Sequence, residues 1–442
     1  MRARHIYPAL TLTLTLLASS PAFAQEPSTG DEIDALLERG GRDTVAFQRL
    51  MVLADRSWRE DPARFEDEVM PRLREESLAW YETARMVKIG PEGPSLAEAP
   101  PWLELVRHVT FSDVPVDEVM MLAIASSPHS AKLRWFMLER TRKCDEGLAT
   151  LVGVEGSLPA LEMIYVMDGD CRDAGAEALA RSSLLGRLRQ LYFQRVALGP
   201  KGASALAASP HLSSVESLGF NGATIGDDGA AAIVASPNLK GLRVLDLRGV
   251  GMTARGALAV AESERLGGVV QLLLGENAIG DEGVEALARA TGLGALERLG
   301  LVNVGLGAAG GRALASASHL DRVNMIALRH NPELGEGAVA LVSSTGLIGL
   351  RELRMEYCAL DDEVAEAISR SPGLARIERL HLYGNVIGPG GAESLAYSPH
   401  TRDMERITLC QNPIGEIGER HLNDPNAPLN KAINRCRYRP AK

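Results

Sequence analysis

A strand-like hexapeptide recurs about every 27 residues along most of this 442-residue chain. Twelve copies follow one another with a single one-residue slip, and they begin at Val106, Leu133, Leu161, Leu188, Val215, Leu242, Val269, Leu296, Val323, Leu350, Ile377 and Met404. A unit this short cannot bury an apolar core alone, so neighbouring copies must stack. The chain is therefore predicted to form one long repeat array rather than separate domains.

Each unit has the pattern of a strand, a turn and a short helix. Positions 4, 6 and 19 are large and apolar in all twelve units, and apolar residues two apart face one side of a strand. Position 9 is often Asn or Cys, whose side chain can hydrogen-bond the turning backbone. Position 15 is Gly in ten of the twelve units, which permits a close approach. Each helix ends at a Ser that Pro often follows.

The resulting pattern LxxLxLxxNxIGxxGxxxLAxS resembles the leucine-rich repeat family, and the helix-bearing units are most similar to its ribonuclease-inhibitor-type subclass. The resemblance covers roughly Val106 to Leu422. It implies an α/β solenoid, a horseshoe with a parallel β-sheet on the concave face and helices on the convex face. It also implies a protein-binding role, and it carries over no catalytic residue.

The segments outside the array have distinct patterns. Residues 1–24 show the charged, apolar and small-residue order of a secretory signal peptide, with cleavage expected after Ala24. We expect residues 25–30 to be disordered, 31–105 to form an N-terminal helical cap and linker, 106–422 to be the repeats and 423–442 to be a C-terminal cap or tail. An independent N-terminal binding module is the alternative for the cap. The order of the segments looks bacterial, so the mature protein is expected in the periplasm or outside the cell.

Export to an oxidising compartment makes cysteine pairing relevant. Cys171 fills position 11 of its unit and Cys144 lies one position later in the preceding unit, so the two should be about 5 Å apart on adjacent coils. A disulfide between them is predicted, with two stacked thiols as the alternative. Cys358 occupies the asparagine position and is expected to be a buried free thiol, whereas Cys410 and Cys436 could join the C-terminal cap to the array.

The sequence gives no indication of catalysis. It contains none of the HExxH, GxSxG or GxxxxGK[ST] motifs and no EF-hand loop, and its cysteines lack zinc-site spacing. We therefore predict a non-enzymatic protein without cofactor or metal. The net charge of −10 disfavours nucleic acid as a partner, and no apolar run outside the signal peptide is long enough to span a membrane.

Positions 3, 5 and 7 of each strand should face the concave space and supply any partner-binding surface. Early units place aromatic and methionine residues there, which interfaces favour, unless the N-terminal cap or a loop covers them. Late units place Arg, His and Tyr there, and the alternative for these is a solvated surface with local salt bridges such as Arg354 to Glu356. The predicted function is protein–protein interaction through this face, with an envelope-associated scaffold or a binding module for cell-envelope glycan as alternatives. The predicted partner-binding residues are Trp135, Met137, Met163, Tyr165, Tyr192, Arg329, Arg354, His381 and Tyr383.

Overall fold

The computed structural model describes residues 29–39, 43–76, 85–91, 96 and 98–432. Within these ranges the chain forms one sheet of 13 parallel strands, whose order in space is their order in sequence. This confirms the predicted leucine-rich repeat solenoid. The strands are β1 Met86–Ile89, β2 His108–Ser112, β3 Trp135–Glu139, β4 Met163–Met167, β5 Gln190–Gln194, β6 Ser217–Gly219, β7 Val244–Asp246, β8 Gln271–Leu273, β9 Arg298–Gly300, β10 Met325–Ala327, β11 Glu352–Arg354, β12 Arg379–His381 and β13 Arg406–Thr408.

The described ranges contain four α-helices before β1, and from β2 onward each strand is followed by one α-helix. The first four are α1 Thr29–Arg39, α2 Thr44–Glu60, α3 Pro62–Arg64 and α4 Met70–Glu76, with a π-helix at Phe65–Val69. The others are α5 Glu118–Ser126, α6 Cys144–Gly153, α7 Asp173–Arg181, α8 Pro200–Ala208, α9 Gly226–Val234, α10 Ala254–Glu262, α11 Gly280–Ala288, α12 Ala308–Ala315, α13 Glu336–Ser343, α14 Asp362–Arg370, α15 Pro389–Ala396 and α16 Gly415–Leu422.

Short 3-10 helices precede many of the strands, and one more follows α16. They span Pro101–Leu105, Pro128–Ser130, Ser183–Arg187, Leu212–Ser214, Thr291–Leu293, Ser318–Leu320, Pro372–Arg376, Pro399–Thr401 and Pro428–Lys431. Several begin after a serine whose hydroxyl accepts a hydrogen bond from the backbone two residues later, as Ser371 does from Gly373. The Ser-Pro steps of the sequence therefore mark both the end of one helix and the start of the segment that leads to the next strand.

Equivalent positions of successive units lie side by side. Leu245, for example, pairs with Leu218 on one side and with Leu272 on the other. Residues at positions 4 and 6 form two continuous buried rows between sheet and helices, and the fourth-position residues Phe136, Ile164, Leu191 and Ile326 are fully buried. Burying a side chain of this size stabilises the fold by about 1.5–3 kcal/mol.

The asparagines at position 9 satisfy buried backbone groups of two coils at once. Asn331 is fully buried. Its Oδ1 accepts hydrogen bonds from the backbone N–H groups of Val304 and Leu306, at 3.1 and 3.0 Å. Its Nδ2 donates to the carbonyl oxygens of Leu301 and Leu328. The sequence pattern predicted the bonding to the turn, and the structure shows that it also joins one coil to the preceding one.

Aspartates at position 13 supply helix caps to the following coil. Helix α8 begins after Gly199, which has no side chain to cap it. Instead, Asp173 Oδ1 of the preceding unit accepts hydrogen bonds from the N–H groups of Gly199 and Gly202, at 2.7 and 3.0 Å. Asp227 does the same for α10 through Thr253 and Gly256. The free N–H groups at a helix start thus find their acceptor in the neighbouring unit.

The glycine at position 15 makes this arrangement possible. It lies inside the helix with an ordinary helical backbone conformation. Glycine is therefore needed at this position because a side chain would not fit, and not because the backbone needs a conformation that other residues avoid. A Cβ at Gly202 would lie 2.8 Å from Asp173 Oδ1 and would also overlap the Leu198 side chain. A Cβ at Gly310 would likewise lie 2.7 Å from Asp281 Oδ1.

The N-terminal helices cover the open edge of the sheet at β1. From α2, the Gln48 amide pairs with Lys88 of β1: its Oε1 accepts from the Lys88 N–H at 2.6 Å and its Nε2 donates to the Lys88 carbonyl at 2.9 Å. The segment Pro101–Leu105, expected to be linker, contributes the fully buried Trp102. Its indole N–H donates to Asp55 Oδ1 at 3.3 Å.

The last strand is covered in a similar way, because Ile407 of β13 donates its N–H to the carbonyl oxygen of Ala432. The predicted signal peptide, residues 25–28 of the expected disordered segment, and residues 433–442 lie outside the described residues. Helix α1 starts at Thr29, two residues before the predicted start of the cap.

Cys144 and Cys171 are fully buried and form a disulfide between adjacent coils, with their Cα atoms 4.9 Å apart. Cys358 is a buried free thiol, and burial raises its pKa to about 12. Its Sγ lies 3.1 Å from the carbonyl oxygen of Leu328, in the place where Asn would donate. Cys410 is disulfide-bonded, and Cys436, its predicted partner, lies outside the described residues.

Candidate partner-binding surface

The concave face of the sheet carries two groups of large side chains, both brought together by the strand register. In the first group, Met137, Tyr165 and Tyr192 are direct neighbours across β3, β4 and β5. We call the group formed by Trp135, Met137, Met163, Tyr165, Met167 and Tyr192 the aromatic–methionine patch. All but one of its side chains are half-buried, so each leaves part of its surface to solvent.

The exception is Met163, which is only 7% exposed. It was predicted to contact a partner, but its neighbours in the row cover most of it. Trp135 stacks on His108 of the preceding strand, with ring centroids 4.0 Å apart and planes inclined by 15°. His108 itself is buried. Met163 and His108 therefore support the exposed members of the patch rather than extend it.

The two tyrosines of the patch are held in place. Their ring centroids are 5.4 Å apart, and the Tyr165 hydroxyl donates a hydrogen bond to Gln194 Oε1. Tyr192 packs against Gly219, the last residue of β6, where a Cβ would overlap its ring. A glycine in a strand is unfavourable for the strand itself. Here it makes room for the aromatic ring, and it also ends the patch.

An ionic network borders this patch at the carboxyl ends of the strands. Arg140 binds both carboxylate oxygens of Asp113, at 2.7 Å each, and Lys88 lies 3.3 Å from Glu139. The hydrogen bond from Arg140 lowers the pKa of Asp113 to about 2. Sequence reasoning did not identify this network. The alternation of Asp113, Arg140, Asp168 and Arg195 at position 8 was the available indication.

Position 8 has an unusual backbone. All twelve residues at this position have a positive φ, and nine of them are not glycine: Asp113, Arg140, Asp168, Arg195, Glu276, Asn303, His330, Tyr357 and Gln411. This conformation costs a residue with a Cβ roughly 1–2 kcal/mol. The glycines at 222, 249 and 384 are unstrained there. Sequence reasoning did not use them, although three glycines at one repeat position indicate such a turn.

The centre of the concave face has little protruding surface. Gly219, Gly275 and Gly300 are covered in turn by the side chains of Tyr192, Val302 and Leu273. Asp246 and Arg248 form a local ion pair at 2.6 Å. This region separates the aromatic–methionine patch from the second group of large side chains.

The second group lies on the last strands and contains Arg329, Arg354, Arg379, His381 and Tyr383, with His330 and Tyr357 beside them. We call it the arginine–histidine–tyrosine patch. Glu352 is at its centre. Its carboxylate lies 2.5 Å from Arg354, 3.1 Å from Arg379 and 3.6 Å from His381. Burial alone would raise the pKa of Glu352, but the hydrogen bonds from the two arginines hold it below its usual value.

The salt bridge that the sequence suggests between Arg354 and Glu356 is not formed. Arg354 pairs with Glu352 instead, and Glu356 faces Arg329 of the preceding strand at 3.6 Å. Both glutamates are two residues from Arg354 on the same face of the strand. The arginines of the two adjacent strands determine the choice, because Arg329 faces Glu356 and Arg379 faces Glu352.

The aromatic members of this patch are stacked at the carboxyl ends of the strands. The His330 and Tyr357 rings are nearly parallel, with centroids 4.7 Å apart. The Tyr383 ring meets Tyr357 edge-on at 5.4 Å. Tyr357 lies over Gly384, as Tyr192 lies over Gly219. His381 is largely buried, and this burial lowers its pKa.

Within the described residues, no group of three or more His, Cys, Asp or Glu side chains could hold a metal ion. No helix in the same part of the chain is long and apolar enough to cross a membrane.

Two segments of the chain, residues 270–288 and 377–396, match the family model described as Leucine Rich repeat. Each segment runs from a strand into the following helix, through β8 and α11 or through β12 and α15. No curated protein sequence matches the chain. The chain thus carries leucine-rich repeats, a fold that is typical of protein–protein interaction modules and offers an extended concave surface.

Similar solved structures include an internalin (inlF) from Listeria monocytogenes str. 4b F2365, with 15% identity over 83% of this chain and 89% of that chain and a TM-score of 0.47. The complex of Rad7 and Elc1 in yeast is another, with 14% identity over 71% of this chain and 80% of that chain and a TM-score of 0.45. At these values the likeness concerns the fold alone.

Proposed function

We propose that this protein is a non-enzymatic, exported leucine-rich repeat protein that binds another protein on its concave face. The observation that carries the proposal is the aromatic–methionine patch. Aromatics make up only 4% of the chain, yet Trp135, Tyr165 and Tyr192 stand together on the face that the helices leave open. Tyr and Trp are the residues that most often dominate binding energy at interfaces.

The geometry of the patch supports this role. The Tyr165 ring is held in one orientation by the hydrogen bond from its hydroxyl to Gln194. The Tyr192 ring is held by its packing against Gly219. Rings that are already ordered lose little conformational entropy when a partner covers them.

Export is supported by the N-terminal pattern of residues 1–24 and by the disulfide between Cys144 and Cys171. Disulfides persist in oxidising compartments such as the periplasm and the cell exterior. The helix of eight to ten residues in each unit supports placement in the ribonuclease-inhibitor-type subclass. N-terminal sequencing of the full chain expressed in a bacterium with a periplasm tests export, and the expected mature protein begins at Gln25.

The binding function is tested by a crosslinking pull-down from cell envelope and culture fluid, with the protein from Gln25 onward as bait. Two double variants run beside it, Trp135→Ala with Tyr165→Ala and Arg354→Ala with His381→Ala. The matched control changes Tyr397 and Arg289 to Ala, which are exposed residues of the helical side. We expect a discrete protein that at least one concave variant loses and that the control retains.

Thermal unfolding of each variant separates a lost interface from a lost fold. Capture that every variant retains would contradict the concave-face function and would favour a scaffold that uses its helical side. Displacement of the bait by soluble envelope sugars would favour the glycan-binding alternative, for which the half-buried tyrosines Tyr357 and Tyr383 are the supporting feature.

A further inference from the structure

The last five strands of the sheet present an excess of cations to the concave face. Positions 3, 5 and 7 of these units contain five arginines and two glutamates, although the protein as a whole has a net charge of −10. The arginines are Arg298, Arg329, Arg354, Arg379 and Arg406, and the glutamates are Glu352 and Glu356. A local field opposite in sign to the net charge attracts an acidic partner and orients it during association.

Two of these arginines stand apart from the carboxylates of the described residues. Arg298 of β9 and Arg406 of β13 are exposed, and within the described ranges neither has an ion pair. Two glutamates at position 2 of neighbouring units already have partners, since Glu378 faces Arg351 at 3.6 Å and Glu405 faces Arg379 at 2.9 Å. Arg298 and Arg406 therefore lie at the two ends of the cationic region with their guanidinium groups available.

The floor of the same region contains polar atoms that lack hydrogen-bond partners among the described residues. They are Arg329 Nε, Glu356 Oε2, His381 Nε2 and Thr408 Oγ1, which lie on or directly after four consecutive strands. The nearest charged contacts of Arg329 and His381 are 3.6 Å long, beyond hydrogen-bonding distance. A buried polar atom without a partner costs about 1–3 kcal/mol. These atoms are covered by neighbouring side chains, so a ligand that shifts those side chains relieves part of this cost. Of the four, Arg329 Nε, His381 Nε2 and Thr408 Oγ1 can donate to a carboxylate, whereas Glu356 Oε2 can only accept.

We propose that the arginine–histidine–tyrosine patch, extended by Arg298 and Arg406, receives an acidic segment of the partner protein. This inference rests on the proposed function and specifies the chemistry of the partner. Arginine forks bind carboxylates through two parallel hydrogen bonds. Tyr357 and Tyr383 offer apolar surface beside them for the aliphatic and aromatic side chains that a protein segment brings, which a bare anion does not use.

The test measures binding of fluorescein-labelled decaglutamate to the mature protein by fluorescence anisotropy, at low and physiological salt. The variant carries Arg298→Glu and Arg406→Glu, both exposed and outside the ion-pair network. The matched control carries Arg181→Glu at the end of α7 and Arg289→Glu directly after α11, where the arginine side chains are 72% and 71% exposed. Both double variants change the net charge equally. The control arginines have only long contacts with a carboxylate, at 3.9 Å to Glu177 and Glu285, so little ion pairing is lost with them.

We expect decaglutamate to bind more tightly at low salt, and the concave variant to weaken binding by about tenfold or more. The control should stay within about twofold of the wild type. An uncharged glycine–serine decapeptide should not bind. Equal losses in the two double variants, or no binding by wild type at low salt, would overturn the proposal.

An oligogalacturonate of similar length and charge distinguishes an acidic glycan from an acidic protein segment. Tighter binding of this sugar, lost in the concave variant, would also overturn the proposal. If decaglutamate fails to bind while the pull-down still captures a protein through the concave face, the acidic-segment inference is wrong and the proposed function stands. If the pull-down captures no protein at all, both are wrong.

Discussion

Asn331 shows how a single side chain determines the stability of two coils. It is fully buried and accepts hydrogen bonds from two N–H groups of the preceding unit. We predict that Asn331→Ala lowers the free energy of unfolding by about 2–4 kcal/mol, because both N–H groups are left buried and unpaired. The measurement is urea unfolding followed by circular dichroism.

The control for this substitution is Asn324→Ala at position 2 of the same unit, where the side chain is half exposed. It should change the free energy of unfolding by no more than about 0.5 kcal/mol. Similar losses in both variants would show that the position-9 hydrogen bonds contribute nothing specific.

Asp227 makes stability depend on pH in the acid range. Burial alone would raise its pKa, but hydrogen bonds from the backbone and hydroxyl of Thr253 and from the N–H of Gly256, with the charge of Arg255, hold it below the usual value. Because the pKa of Asp227 is lower in the folded than in the unfolded state, its ionised carboxylate stabilises the protein at pH values above the pKa of the unfolded state, about 3.9. This stabilisation is lost as the pH falls through the pKa of the folded state.

We therefore predict that Asp227→Asn destabilises the protein at pH 7 and that the difference from wild type shrinks below about pH 4. Urea unfolding at a series of pH values measures it. Asp228→Asn is the control, since the Asp228 side chain is 73% exposed. A difference for Asp227→Asn that stays constant down to about pH 2 would contradict the role of its carboxylate as the cap of α10.

At the scale of the elements, the first strand depends on a side chain from a helix. Gln48 of α2 takes the place of a neighbouring strand by pairing with both backbone groups of Lys88. A strand at the open edge of a sheet can pair with a strand of another chain. The Gln48 amide covers the N–H and carbonyl groups of Lys88, which point away from β2.

We predict that Gln48→Ala accelerates hydrogen exchange of the Lys88 amide by about tenfold, which corresponds to the roughly 1.4 kcal/mol that one hydrogen bond contributes. The amide of Val109 in β2 is the internal reference and should keep its rate. Equal acceleration at both amides would indicate that the N-terminal helices have detached as a whole, and that Gln48 has no local role.

At the scale of the whole molecule, each unit contacts its neighbours through the same set of interactions. Removing residues 242–268 deletes one complete unit and joins Gly241 to Val269. Asn277 would then face the N–H groups of Ala223 and Ile225, so this turn is reconstituted. Helix α11 keeps its own start, because the N–H groups of Gly280 and Gly283 already donate to the carbonyl oxygens of Val304 and Ile279. Stability in such arrays is approximately a sum over units and their interfaces.

We predict that this shortened protein folds and unfolds cooperatively, whereas deletion of residues 242–254, about half a unit, does not give a cooperative transition. Thermal unfolding by circular dichroism compares the two. A shortened protein that fails to fold would show that the units are not interchangeable. The complete deletion also brings the two concave patches about 4.8 Å closer, so a rigid partner that spans both should bind less tightly.

The repeat pattern is enough to specify the fold. The apolar residues at positions 4, 6 and 19 admit only a stacked strand–helix coil, because any other arrangement exposes whole rows of them. It also specifies which side chains share the concave face. Side chains alternate between the two faces of a strand and the repeat length is nearly constant, so Met137, Tyr165 and Tyr192 lie in one row. The aromatic–methionine patch was predictable for the same reason.

The partner that each polar side chain takes depends on the three-dimensional arrangement of the coils. Arg354 has a glutamate two residues away on either side, and the choice depends on Arg329 and Arg379 of the adjacent strands. Gly199 has no cap of its own until Asp173 of another coil reaches it. An apolar side chain is buried whenever it lies on the inner face of its strand or helix, and the sequence pattern is enough to place it there. A hydrogen bond or ion pair depends on differences of a few tenths of an ångström in the distances to competing neighbours.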